Sequence, residues 1–177
     1  MCGIAGYVGE RELDWSRVER SLHLMRRRGP DAQDARHWLS PAGTHVYLLH
    51  SRLSIIDLTD RANQPFSSGS RWIAFNGELY NYIELRAWLR ESGVRFVTSS
   101  DTEVLLRVID VHGWDALDRC EGMWAFAVYD ETDGSVTLCR DRFGEKPLYV
   151  YRDATGLYFG RLTTPTLQTH AKFLLLR

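Results

Sequence analysis

Cys2 is the residue of this 177-residue chain that most needs a chemical account. Taken alone, a cysteine beside a terminus is incidental. Once Met1 is removed, however, Cys2 becomes residue one and carries a thiol and a free α-amino group together. An α-amino group has a pKa near ~8, which suits a general base at neutral pH, and a thiol is intrinsically very nucleophilic. Acyl transfer by such a residue also needs hydrogen-bond donors fixed where negative charge develops. Asn76-Gly77 can supply a side-chain NH2 and an unobstructed backbone N–H at the end of a strand, although the pair read locally is a hairpin turn. Arg52, between two apparent strands, can clamp a carboxylate through paired N–H bonds or stand as a surface arginine. Asp101, at the start of a helical pattern, can pair with an ammonium group or serve as a plain helix cap.

Other chemistries lack their residues. Gly3-x-x-Gly6-x-x-Gly9 does not have the spacing of a dinucleotide loop, and no phosphate-binding GxxxxGK[ST] run occurs. The six histidines show no ligand spacing, so no metal site is expected. Arg26-Arg27-Arg28 reads as a solvated helix end favoured by the helix dipole. A formal charge of −1 gives no global attraction to nucleic acid or anionic lipid. The longest apolar run, Met123 to Tyr129, is too short to cross a bilayer, and no membrane role is expected. Three widely spaced cysteines and the lack of a secretory signal point to a reducing, cytoplasmic setting.

The elements that must position these residues follow from periodicity. Cys2 to Val8 reads as a buried strand, and Ser16 to Arg27 as a helix opened by a Ser16–Glu19 capping box. Strands are expected over 35–39, 44–50, 53–56 and 71–75, with polar loop over 59–70. Helices are expected from Asn81 to Glu91, closed by Gly93, and from Ser100 or Asp101 to about His112, with a further turn or two over 114–119. Strands return at 123–129, 135–140, 147–152 and 157–160. Strands at both ends around a helical middle imply layered, mostly antiparallel sheets. Cys120 and Cys139 are expected to be buried packing residues.

Eight short segments, in order, make the set specific. They are Met1-Cys-Gly-Ile-Ala-Gly6, Arg28-Gly-Pro-Asp31, Arg52-Leu-Ser-Ile-Ile-Asp57, Gln64-Pro-Phe66, Phe75-Asn-Gly-Glu-Leu-Tyr-Asn81, Ser100-Asp-Thr-Glu-Val104, Glu121-Gly-Met-Trp-Ala-Phe-Ala127 and Arg140-Asp-Arg-Phe-Gly-Glu-Lys-Pro-Leu-Tyr149. With them the chain resembles the class II glutamine amidotransferase domain, an N-terminal-nucleophile hydrolase, as found in the N-terminal half of glutamine-hydrolysing asparagine synthetases. The resemblance implies an α+β fold, a four-layer αββα sandwich of two mostly antiparallel sheets. It implies hydrolysis of glutamine to glutamate and ammonia through a Cys2 thioester, with the freed amine as base. It implies Asn76 and Gly77 as the oxyanion hole, Arg52 holding the glutamine α-carboxylate, and Asp101 with Glu78 holding the α-amino group. Glutamine hydrolysis of this kind needs no cofactor; ATP and Mg belong to the family's synthetase domain, whose Ser-Gly-Gly-x-Asp-Ser motif does not occur in this chain.

The family pattern covers 1–160, the expected glutaminase domain, and 161–177 reads as an atypical tail. Three readings stay open on the residues alone. One is a glutaminase domain from a synthetase-like parent or serving a synthetase domain or subunit in trans, with a homodimer also open. Another is a truncated fragment that is non-catalytic or dependent on a partner. The third is a misfolding-prone remnant with no role.

Overall fold

The computed structural model describes residues 2–160, so the expectations for Arg161 to Arg177 lie outside the described residues. Among the described residues nine strands form two sheets, and every ladder is antiparallel. The strands are β1 (Gly3–Gly9), β2 (Ala32–Leu39), β3 (His45–Arg52), β4 (Phe66–Ser68), β5 (Arg71–Leu79), β6 (Gly122–Asp130), β7 (Val136–Arg140), β8 (Tyr149–Asp153) and β9 (Gly156–Gly160). The first sheet runs β2-β3-β1-β9-β8 and the second β4-β5-β6-β7. The helices are α1 (Trp15–Met25), α2 (Tyr82–Glu91) and α3 (Asp101–His112).

Alternation along the strands builds the layers. In β1 and β3, Ile4, Val46 and Leu48 face the second sheet, where they meet Ala74, Ala125 and Ala127. Tyr7, Tyr47 and Leu49 point the other way and pack with Val18 of α1. In β5 and β6, Ile73, Phe75, Leu79, Phe126 and Val128 face α2 and α3, packing on Leu85, Leu89, Leu105 and Ile109. The result is helix, sheet, sheet, helix: the αββα sandwich expected from the resemblance. The alanines at 74, 125 and 127, all fully buried, leave room for the larger side chains of the opposing sheet.

Local differences from the sequence reading have clear causes. Asp14, not Ser16, caps α1, its carboxylate accepting from the Ser16 N–H. Residues 53–56 are loop, because β3 ends at Arg52 and the chain turns away there. The three-residue β4 lies within the stretch read as loop, too short to show a period. Asn76-Gly77 is not a hairpin turn: β5 runs straight through both residues to Leu79, paired residue for residue with β6. Of the two other cysteines, Cys120 is buried and Cys139 partly so, and both are free thiols. Among the described residues no helix is long and apolar enough to cross a membrane.

The close approach of the sheets gives a direct test. Ala127→Leu is expected to destabilise the chain by about 1–3 kcal/mol through overpacking. The same exchange at the exposed Ala87 of α2 is expected to stay within about 0.5 kcal/mol. Urea unfolding of the two variants beside the wild type checks both.

Candidate active site

The two central strands of the first sheet end side by side. Gly3 pairs with Ser51, so Cys2 emerges next to Arg52. The alternation that points Ile4 and Leu48 between the sheets points Cys2 and Arg52 the same way. On the opposing sheet Asn76 has the parity of Ala74 and also faces the gap. The sandwich therefore brings Cys2, Arg52 and Asn76 to one end, where the sheets open into a pocket. Gly77, Glu78 and Asp101 line the same pocket, so all six residues singled out from the sequence converge there.

Cys2 is anchored from both sides. Its sulfur lies 3.4 Å from the Leu53 N–H and 3.7 Å from the Leu53 carbonyl. Burial pushes the Cys2 thiol up; the Leu53 contact and the Arg52 charge oppose that, and Asp101 adds to it. The thiol form is thus favoured at neutral pH, and a nucleophile in this position needs a base. Arg28 donates from Nε to the Cys2 carbonyl at 3.2 Å, which corrects its reading as a solvated helix end; Arg26 and Arg27 are exposed. The Asp31 N–H donates to the Arg52 carbonyl and the Asp31 carboxylate accepts from the Ser54 N–H at 2.7 Å. The Arg28-Gly-Pro-Asp31 segment therefore fastens the backbone at both Cys2 and Arg52.

The second wall is the free edge of β5. Just past the end of β5 the Tyr80 N–H donates to the carbonyl of Glu121, the residue before β6, so even-numbered residues of β5 turn their peptide groups toward β6 and odd-numbered ones turn away. Beyond Ile73 the short β4 has ended, and side chains take over its role. The Phe75 N–H donates to Gln64 Oε1 at 2.6 Å, and the Leu79 N–H donates to Asp101 Oδ2 at 3.1 Å. Between them, by the same parity, the Gly77 N–H faces the pocket. A side chain at Gly77 is excluded: its Cβ would sit 2.3 Å from the Met123 carbonyl and 2.8 Å from Trp124 Cα. Asn76 is only 2 % exposed, and its amide oxygen has no hydrogen-bond partner within the described residues.

Asp101 is the first residue of α3, and Ser100 is the cap, its hydroxyl accepting from the Glu103 N–H. This leaves the Asp101 carboxylate to accept from the Leu79 and Thr102 N–H groups while lining the pocket. Burial raises the Asp101 carboxyl above the ordinary range; the Leu79 and Thr102 N–H groups pull it down and Glu78 pushes it up. Arg52 is 5 % exposed, and its guanidinium is occupied by the following loop. It donates to the Thr59 carbonyl at 2.9 Å, to Asn63 Oδ1 at 2.8 Å and to the carbonyls of Ile56 and Asp57.

Three further residues were not assigned roles from the sequence. Gln64 and His50 bind the β5 edge; Gln64-Pro-Phe66 was among the matching segments, whereas His50 carried no local signal. Lys146 is buried and lines the pocket from the loop after β7. That loop is organised by Asp141, whose carboxylate accepts from the N–H groups of Trp124, Phe143, Glu145 and Lys146. Among the described residues no group of three or more His, Cys, Asp or Glu side chains is placed to hold a metal ion.

Comparison with known proteins gives a consistent result. The family model described as a glutamine amidotransferase domain matches residues 1–173. A Mycobacterium bovis protein, named among the glutamine-hydrolysing asparagine synthetases, is 39% identical over 171 residues, covering 88% of this chain and 26% of its own length. Asparagine synthetase [glutamine-hydrolyzing] 1 of Bacillus subtilis is 37% identical over 166 residues, covering 90% of this chain and 25% of its own. The chain thus spans about a quarter of the length of the curated relatives it matches. A solved structure of glutamine phosphoribosylpyrophosphate amidotransferase from B. subtilis superposes with a TM-score of 0.70 over 90% of this chain and 41% of that one; at 22% identity this shows a shared fold.

The crowding at Gly77 yields a prediction. Gly77→Ala is expected to destabilise the chain by about 1–3 kcal/mol, because the backbone of β6 must move to admit a methyl group. Denaturant unfolding that matches the wild type within error would contradict the close strand approach.

Proposed function

The chain belongs to the glutamine amidotransferase domain family, and from that premise we propose that it hydrolyses glutamine to glutamate and ammonia with Cys2 as nucleophile. The observation that carries this reading is the convergence of Cys2 from the start of β1, Asn76 and Gly77 from β5, and Asp101 from α3 onto one pocket. With Met1 removed, the Cys2 α-amino group takes the thiol proton. The sulfur attacks the side-chain amide carbon of glutamine, and the carbonyl π electrons move onto oxygen. The Asn76 amide and the Gly77 N–H hold that oxyanion. The amine returns its proton to the leaving nitrogen, the C–N bond breaks, and ammonia departs from a γ-glutamyl thioester. Water then adds to the thioester with the same base, and glutamate leaves as the thiol is restored. No cofactor enters these steps.

Asp101 and Glu78 are proposed to hold the substrate α-ammonium. Arg52 is proposed to hold its α-carboxylate, which requires the 56–59 loop to yield carbonyl contacts to the incoming anion. That exchange is favourable in direction, since a carboxylate is a stronger acceptor than a peptide carbonyl. The ammonia acceptor is proposed to lie on a synthetase domain or subunit of the kind carried by the longer relatives. A second reading, in which turnover depends on that partner, draws on the same loop: a partner that moves it would free Arg52.

Two experiments test the proposal. The first is glutamate release from glutamine by the wild type beside Cys2→Ala, with intact mass on the same samples. Activity is expected only in the wild type and only with Met1 removed; activity in Cys2→Ala, or in protein retaining Met1, contradicts the mechanism. The second is the pH dependence of KM. Protonated Asp101 is neutral and loses its attraction for the α-ammonium. Because burial raises its pKa, KM is expected to climb as pH falls while still above the ordinary aspartate value of about 3.9. Asp101→Asn is expected to show a high KM that no longer changes over that range.

A further inference from the structure

Beyond β4, the outer edge of β5 has no neighbouring strand among the described residues, yet the Phe75 peptide groups are bound on both sides. Gln64 Oε1 accepts the Phe75 N–H at 2.6 Å, and His50 Nε2 lies 3.0 Å from the Phe75 carbonyl. A carbonyl only accepts, so Nε2 carries the hydrogen and His50 is the donor. Both side chains are buried, and they come from different places: His50 from β3 of the opposing sheet, Gln64 from the segment before β4. Gln64 also donates from Nε2 to Thr102 Oγ1 at 3.1 Å, which ties the edge to the residue after Asp101.

We propose that His50 and Gln64 are positioning residues for the oxyanion site, acting through the Phe75 peptide groups on Asn76 and Gly77. The proposal rests on the amidotransferase reading and goes beyond it by naming what aligns the donors. The Phe75 carbonyl and the Asn76 nitrogen belong to one rigid peptide plane, so a hydrogen bond to that carbonyl fixes the plane from which the Asn76 side chain projects. The Gln64 contact fixes the preceding plane. With both planes held, the Gly77 N–H two residues on is aimed into the pocket and cannot swing with the free edge. A side-chain clamp is needed here because a full-length neighbouring strand would consume the Gly77 N–H in its own ladder. The clamp satisfies the edge at Phe75 and leaves it open at Gly77. Burial pushes the His50 imidazole down to about 4, with Arg52 adding to this and the Phe75 carbonyl opposing it, so the ring is a neutral N–H donor throughout the working range.

The test uses the full chain and four variants. Gln64→Met and His50→Leu remove the acceptor and the donor; Gln64→Glu keeps an oxygen toward Phe75 and His50→Gln keeps an N–H. If the clamp aligns the oxyanion donors, Gln64→Met and His50→Leu are expected to lower kcat about 10- to 100-fold with KM changed by less than about threefold. The conservative partners should recover most of the loss. A readout that mere loosening of the fold does not move is the affinity for glutamate γ-semialdehyde. The Cys2 thiol gives its proton to the α-amino group and its sulfur adds to the aldehyde carbon, an S–C bond forming as the carbonyl π pair becomes a tetrahedral oxyanion. That affinity should fall by the same factor as kcat, while the affinity for glutamate stays. Thr102→Val, which removes the hydroxyl that accepts from the far end of Gln64 and keeps the Thr102 N–H on Asp101, serves if Gln64→Met does not unfold cooperatively; it should show a smaller fall in kcat with KM kept. Wild-type kcat in the clamp variants, or a loss confined to KM, overturns this proposal alone. A wild type without Cys2-dependent hydrolysis overturns it together with the amidotransferase reading.

Discussion

The site depends on one unfinished edge. β5 pairs with β6 along its whole length, but on its other side β4 gives out after three residues. From Phe75 to Leu79 the backbone groups facing outward must find other partners, since unmet buried N–H and C=O groups are costly. Gln64, His50 and Asp101 provide them at Phe75 and Leu79, and Gly77 is left facing the pocket. Extending β4 by three residues would complete the sheet and remove the donor. Under the proposed function, the short strand, the buried polar side chains behind it and the capped start of α3 together keep that one N–H available.

The same economy appears on the other wall. Cys2 and Arg52 lie where β1 and β3 run out together, and the Arg28-Gly-Pro-Asp31 loop holds both backbones from behind. Charge is kept near the pocket by burial against bonded partners rather than by exposure. Arg52 donates to loop carbonyls and to Asn63 Oδ1, and Asp101 accepts from two N–H groups. Under the proposed function, the α-ammonium meets an Asp101 already oriented, while the α-carboxylate must displace loop carbonyls from Arg52.

Most of the layered fold was legible in the sequence because its strands and helices are long enough to show a period. The short pieces were not. β4 has three residues, and residues 53–56 look like a strand on composition but have no partner. Asn76-Gly77 was misleading for a physical reason: the dipeptide has strong turn propensity, yet pairing with Ala125 and Trp124 and close contact with β6 override it. All six candidate site residues were named from the sequence, five as local possibilities and Glu78 only through the resemblance. Their convergence was not derivable locally, because it comes from parity across two sheets. Arg28 and His50 escaped for the same cause: nothing within their own segments says that one reaches the Cys2 carbonyl and the other the Phe75 carbonyl.

The central claim is that this edge and Cys2 together form and stabilise an acyl-enzyme. The most direct measurement is intact mass of the wild-type chain, acid-quenched during turnover of glutamine, with peptide mapping of any adduct. The account predicts a population heavier by one glutamyl group, carried on Cys2 of a chain lacking Met1 and removed by hydroxylamine. A folded, processed chain that consumes glutamine with no adduct, or with one on another residue, would contradict it.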